Sequence, residues 1–348
     1  MNFLKKKIIE LISYVFASCV DLNIFYLKKI YKNKLVTLNN ISFGDSWRFY
    51  IDKYNEINNS NQQIIIFSIN DERVVEFFFQ KKNYIKILIP IPLRLSWVVA
   101  PRLRKFKNFK SVALVTAELN NYNYSENQRK LINYKLKKKK ISEEVKQLRN
   151  SNYITFFIKH YNSNPKDLRG SSPRQTSNVK KIFEILKFLI NKDLKILVLG
   201  NDLDKGTSLI KRLVKKKQKE KIIFFKEISE NYSLADQIFA IQNSVGYIGS
   251  ASAPAEIALK LKKKVLIFDR IYDDTSHYKL LKKGDIEKIY YNKTFKNLKI
   301  LYKYIQIKNN RPKILKSTTI DRINDKNFNI FENNSTEIKL NIQKLFNF

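Results

Sequence analysis

An α/β architecture of two Rossmann-like domains facing a cleft is what this 348-residue sequence predicts, and three observations carry the prediction. Short apolar runs alternate with segments of helical period, the pattern of parallel sheets built from βαβ units. The alternation occurs twice, with a polar and basic stretch between the two sets. Lastly, YIGSASAPAEIALKLKKKVLIFD (247–269) places Gly249 and Pro254 in one tight turn of a chain that has only 7 glycines and 7 prolines.

The elements follow in order. Residues 1–33 form a basic amphipathic segment. In the first domain (34–150), KLVTLNN reads as a strand, followed by ISFGDSW and a helix to about residue 57. QQIIIFSI (62–69) is a second strand, NDERVVEFFFQKK a helix, YIKILIPI (84–91) a third strand and SVALVTA (111–117) a fourth. Residues 120–150, with LKKKK at 136–140, read as an exposed helix and the link between halves. The second domain (151–300) opens on the strand YITFFIKHY (153–161), then a polar loop and a helix over about 177–191. LKILVLG, a basic helix, the strand KIIFFKEI and a helix capped by Ser233 lead into the 247–269 stretch. There the spacing predicts strand, turn, helix and strand, with Pro254 in the first helical turn. Residues 301–348 are an Asn/Lys-rich tail ending in the helix STEIKLNIQKLF.

Composition narrows the classes of function. Apolar residues make up 44% and aromatics 13%, which excludes a disordered chain. The single Cys19 excludes an internal disulfide framework, and two histidines exclude a histidine-rich metal site. A net charge of +36 points to polyanions: phosphorylated substrate, anionic lipid or nucleic acid. Nucleic acid is the disfavoured partner, because the lysines are dispersed over nearly every helix and no binding motif is present. The richness in Lys, Asn and Ile also fits an AT-rich genome. Glu10 and Asp21 interrupt the apolar N-terminal stretch, so lying on an anionic membrane surface or docking on the protein suits it better than spanning.

In open α/β sheets, ligands bind beyond the carboxyl ends of the strands. The loops at those ends are SFGDSW (42–47), NSNPKDLRGSSPR (162–174), NDLDKG (201–206) and GSASAP (249–254). Asp45 follows the first strand and is either a general base or the cap of the next helix. Ser250, Ser252, Ala253 and Ala255 enter a helix whose first backbone N–H groups suit a phosphate, and Glu256 suits a ribose hydroxyl; the same turn also lets helix and sheet pack closely. Lys159, Arg169 and Arg174 lie on or after the strand opening the second domain, where cations stabilise a departing diphosphate. Asp202 and Asp204 have the spacing of a metal pair, but Asn-Asp turns are ordinary between strand and helix, and no metal is expected. His160 and His277 read as strand-end and loop residues.

SLADQIFAIQNSVGYIGSASAPAEIALKLKKKVLIF (233–268) resembles the donor-binding motif of the heptosyltransferase-like GT-B glycosyltransferases: Ser-Leu, a helix, a strand ending in Gly, a Ser/Thr-Gly-Pro turn, a helix and a strand. ISFGDSWRFYI (41–51) is similar to the family's Gly-Asp turn. Ala251, Ala253 and Glu256 stand where the family has Asp, Gly and His. The resemblance implies transfer of a sugar from a nucleotide-sugar without a metal or other cofactor, with Asp45 as the base acting on the acceptor hydroxyl. It implies an inverting enzyme of cell-surface polysaccharide synthesis, with a glycan or lipid-linked acceptor. The setting expected is cytoplasmic, at the inner face of the membrane. A sugar-nucleotide epimerase or hydrolase of the same fold, and a basic polyanion-binding protein, are the alternatives.

Overall fold

The computed structural model describes residues 35–39, 64–68, 73–80, 84–88, 109–111, 126–159, 178–200, 205–214, 220–229, 232–270, 280–281, 297–302, 304–307, 313–314 and 328–348, with Val15, Trp47, Tyr50, Ile51 and Tyr54. The chain divides into two compact units, Met1–Leu119 and Asn120–Phe348.

The first unit holds a four-stranded parallel sheet of β1 (Leu35–Asn39), β2 (Ile64–Ser68), β3 (Tyr84–Leu88) and β4 (Phe109–Ser111) in the order β3-β2-β1-β4. Leu35 pairs with Ile64, and Ile64 with Tyr84, so the three apolar runs lie in register. β4 shares Ser111 with the expected 111–117 strand, the rest of which lies outside the described residues. Trp47, Tyr50, Ile51 and Tyr54 are helical and buried, at the i, i+3, i+4, i+7 spacing of one helix face. They meet Phe77, Phe78 and Phe79 from α1 (Arg73–Phe78) and its end, with Trp47 5.2 Å from Phe78 and Tyr54 stacked at 5.5 Å on Phe79.

The second unit begins with α2 (Glu126–Lys137), α3 (Glu143–Gln147) and a 3-10 turn (Leu148–Asn150). Its sheet strands are β5 (Tyr153–Phe157), β6 (Lys195–Val198), β7 (Ile222–Phe224), β8 (Gly246–Gly249), β9 (Lys264–Arg270) and β11 (Leu298–Tyr302). All pair in parallel, in the order β11-β9-β8-β5-β6-β7. Helices α4 (Val179–Ile190), α5 (Lys205–Leu213), α6 (Phe225–Ile228), α7 (Leu234–Asn243), α8 (Ala253–Lys260) and α9 (Ser335–Phe346) complete it. Short ladders join β10 (Leu280–Leu281) to β13 (Lys313–Ile314) and β12 (Tyr304–Ile307) to β14 (Phe328–Phe331).

Both faces of this sheet are covered. Ile154, Phe156, Ile248, Leu266 and Phe268 join a core with Ile182, Ile185 and Leu189 of α4, Leu209 of α5, and Ile338, Ile342 and Phe346 of α9. On the other face the buried Tyr153 hydroxyl donates to the carbonyl of Ala240 in α7 (2.6 Å), and Tyr247 is fully buried. Strand residues facing helices on both sides explain why these runs read as continuously apolar. Helix ends follow local chemistry. Asn178 accepts from the Lys181 N–H (3.0 Å), Ser233 from Ala235 N–H (3.2 Å), and Asn334 from Glu337 N–H (2.7 Å).

The α/β class and the two parallel-sheet units match the sequence expectation, and the structure differs in four places. Residues 126–150 pack on the second unit, whereas the sequence reading assigned them to the first. Ile132, Leu136, Val145 and Leu148 are buried, Gln242 donates to Asn133 (3.1 Å), and Lys262 pairs with Glu126. The run 221–228 is strand only to Phe224; Phe225 then turns into the core and a helical turn begins. The tail helix is part of the core rather than an appendage, because Ile338, Ile342 and Phe346 repeat every four residues and lie against α4 and β9. A sixth strand, β11, was not foreseen.

Candidate functional site at the strand-order switch

From β5 the chain proceeds outward to β6 and β7, then returns to place β8, β9 and β11 on the other side. This is the dinucleotide-binding strand order, and its switch point lies between β5 and β8. The site is therefore built around the carboxyl ends of these two strands, at Ile158, Lys159, Gly249 and Ser250.

Gly249 is fixed there by backbone geometry. Its φ is +154°, and a Cβ at this position would lie 1.9 Å from the Phe157 carbonyl oxygen. Only glycine meets both conditions. The close approach lets Ser250 N–H donate to Phe157 O (2.8 Å) and Lys159 N–H donate to Ser250 Oγ (2.9 Å). Ser250 is buried, so its amide and hydroxyl oxygen stitch the strand ends together. Tyr247 holds the turn from beneath: its hydroxyl donates to the Ser250 carbonyl (2.7 Å) and pairs with Ser252 Oγ (2.9 Å). Burial raises the Tyr247 phenol far above the ordinary tyrosine range, so it stays neutral.

The consequence falls on α8. Ser252 occupies its N-cap, yet its side chain makes no capping bond, being held by Tyr247. Helix geometry leaves the N–H groups of Ala253 and Ala255 without an intrahelical acceptor, and Pro254 has no N–H. α5 reaches the same point from the other face of the sheet. Gly206, its second residue, packs so closely that a Cβ would lie 2.1 Å from the Ile158 carbonyl oxygen. Two helix N-termini thus converge on residues 158–159, beside the exposed Lys159. Such an arrangement presents partial positive charge and N–H donors to an anion. Thr207 Oγ1, in the first turn of α5, is buried without a hydrogen-bond partner.

The structure brings together Lys159, Ser250, Ser252, Ala253, Ala255 and Glu256 of the residues singled out from sequence. Asp45, Arg169, Arg174, Asp202, Asp204, His160, His277 and nearly all of segment 1–33 lie outside the described residues. Among the described residues no group of three or more His, Cys, Asp and Glu suits a metal, and no helix is long and apolar enough to cross a membrane.

Two buried clusters at the same carboxyl edge escaped the sequence reading. Lys181, 2% exposed in the first turn of α4, pairs with Asp269 of β9 and with Glu332 (2.7 Å). Asp269 and Asn333 bond reciprocally, each backbone N–H donating to the other's side-chain oxygen (2.8 Å). In the second cluster, Asp236 of α7 accepts from Ser142 N–H (2.9 Å), from the Ser142 hydroxyl and from Ser229 Oγ (2.7 Å). One signal was available: Lys181 falls on the apolar stripe of α4 beside Ile182 and Ile185, and a lysine there requires a buried partner.

No family model matches the chain, and no curated protein matches it. Among solved structures it is similar to the ADP-heptose lipopolysaccharide heptosyltransferase II of E. coli (11% identity, 67% of this chain and 84% of that one, TM-score 0.40). A glycosyl transferase family 9 protein from Veillonella parvula has 11% identity over 67% of this chain and 79% of that one (TM-score 0.39). A structure assigned as a UDP-N-acetylglucosamine 2-epimerase from Listeria monocytogenes has 9% identity over 68% and 79% (TM-score 0.42).

Proposed function

We propose that the chain is a GT-B glycosyltransferase. It moves a sugar from a nucleotide-sugar donor to a lipid-linked or oligosaccharide acceptor in cell-surface polysaccharide synthesis, with inversion and without a metal. The acceptor hydroxyl oxygen attacks the anomeric carbon, the bond from that carbon to the diphosphate oxygen breaks, and Asp45 takes the hydroxyl proton. The departing diphosphate gains negative charge. In this reading it is held by the N–H groups of Ala253 and Ala255, by the α5 and α8 N-termini, and by Lys159, Arg169 and Arg174. Glu256 accepts from a ribose hydroxyl. The enzyme works at the cytoplasmic face of the membrane, which its charge of +36 favours.

The observation that supports this reading is the convergence of two helix N-termini on the end of β5 at the strand-order switch. The test is binding of ADP, GDP, UDP and CMP at physiological salt, with tripolyphosphate and a short RNA as controls for plain charge. Saturable preference for one nucleotide, abolished by Ala253→Trp, is the expected result. Equal weak binding of all nucleotides, with RNA tightest and steeply salt-dependent, overturns the donor site. Release of free sugar from the donor, at a rate no acceptor changes, replaces transfer by hydrolysis.

A further inference from the structure

We propose that the outer face of α2 is a docking surface for an anionic lipid bilayer. The inner face of this helix is fastened to the second unit: Ile132 and Leu136 are buried, Asn133 bonds Gln242 and Gln128 bonds Lys260 (3.1 Å each). What remains outward is Lys130, Tyr134, Lys137 and, just past the helix, Lys138 and Lys140, all exposed. Positions 130, 134 and 137 share one helical face. No Asp or Glu occurs between residues 127 and 142. α4 and α9 carry acid among their lysines, at Glu184 and Glu337, whereas the acid of α2, Glu126, is its first residue and is paired with Arg129 and Lys262. At roughly 1.5 Å per helical residue Lys130 lies about 10 Å from Lys137, beyond the screening length of about 8 Å, so each lysine acts on a charged plane by itself and their contributions add.

Charge complementarity selects a polyanion, and Tyr134 selects its kind. Tyr134 is 52% exposed, and the Lys138 ammonium lies 4.1 Å from its ring centroid while donating to its hydroxyl. An ammonium beside the ring and bonded to its hydroxyl leaves less of that ring free to stack on a nucleotide base. A phenol and ammonium side by side on a convex helix suit a flat headgroup layer, where amphipathic rings and lysines are placed together. The orientation also fits. Glu126 lies beside Lys262, past the C-terminal end of α8, whereas Ser142 reaches Asp236 at the start of α7. α2 therefore runs toward the carboxyl edge of the sheet, the edge that carries the strand-switch site. The inference extends the membrane setting proposed above but does not depend on sugar transfer.

The experiment is co-sedimentation of the full chain with vesicles of about 30% phosphatidylglycerol in phosphatidylcholine, at about 0.15 M salt. One variant combines Lys130→Glu, Lys137→Glu, Lys138→Glu and Lys140→Glu. Its control combines Lys180→Glu, Lys187→Glu, Lys195→Glu and Lys344→Glu, which changes net charge equally at exposed lysines on other elements. Partition is expected to fall at least tenfold for the α2 variant and less than twofold for the control. Lys→Gln at the four α2 positions gives a smaller loss in the same direction. Nucleotide binding and melting midpoint of the α2 variant remain those of the parent, so failure of this surface and failure of the donor site are separate results. Equal losses in the two variants, unchanged binding by the α2 variant, or no binding by the parent overturns the proposal. So does a short RNA whose binding depends on α2 while vesicle binding does not.

Discussion

Gly249 and Ser250 at the end of β8, and Asp269 near the end of β9, stand on neighbouring strands of one sheet, yet they are held by different physics. At β8 the fastening is short-range and uncharged: a glycine without room for a Cβ, a serine oxygen accepting a backbone N–H, a tyrosine beneath. At β9 it is ionic and assembled from three distant segments, with Lys181 between Asp269 and Glu332 and Asn333 closing the loop. The first keeps Ser252 from capping α8. The second holds Lys181 and Asp269 almost wholly out of solvent, with Glu332 partly exposed. One strand end is thus held by backbone and small side chains, the other by an ion cluster.

Four substitutions sharpen or break that contrast, from the largest effect to the smallest. Gly249→Ala places a Cβ against the Phe157 carbonyl at a φ closed to alanine, and is expected to destabilise by more than about 4 kcal/mol. Chemical denaturation followed by circular dichroism reads it; a stable, cooperatively folding variant would show that the turn has another solution. Lys181→Met leaves two carboxylates facing each other in a buried site and is expected to cost about 3 kcal/mol, part of which Asp269→Asn restores in the double variant. Additive losses in that cycle would show that the cluster does not act as a unit. Ser250→Ala removes the hydroxyl that accepts from the Lys159 N–H, at a loss of about 1 kcal/mol, and nucleotide binding weakens with it if strand stitching positions the site.

The last effect is the smallest in stability. Tyr247→Phe releases Ser252 to cap α8, so stability changes by less than about 1 kcal/mol. Nucleotide affinity is then expected to fall severalfold, because the serine oxygen competes with phosphate for the same N–H groups. Calorimetric titration beside a thermal melt separates the two changes, and unaltered affinity would remove the helix N-terminus from the site.

Much of this was legible because the determinants were local. Pro254 in the first turn of α8, Ser233 as the cap of α7, and the STEIKLNIQKLF helix each depend on neighbours within four residues. The 249–256 turn announced itself by a glycine and a proline in a chain poor in both. What failed was long-range. The basic 126–150 segment looks like a solvated link in isolation, and only Gln242, Lys260 and Asp236, about a hundred residues away, show where it packs. KIIFFKEI carries no mark telling that Phe225 leaves the strand.

By itself the sequence determined the α/β class, the order of most elements and the turn on which the functional reading rests, because period, caps and glycine placement act through chain-local sterics. Only the tertiary structure decided that α2 belongs to the second unit and that Lys181 lies between Asp269 and Glu332. It also turned Ser252 away from its own helix. Each of these requires partners brought together by sheet order, and no spacing along a chain encodes which distant strand will be the neighbour.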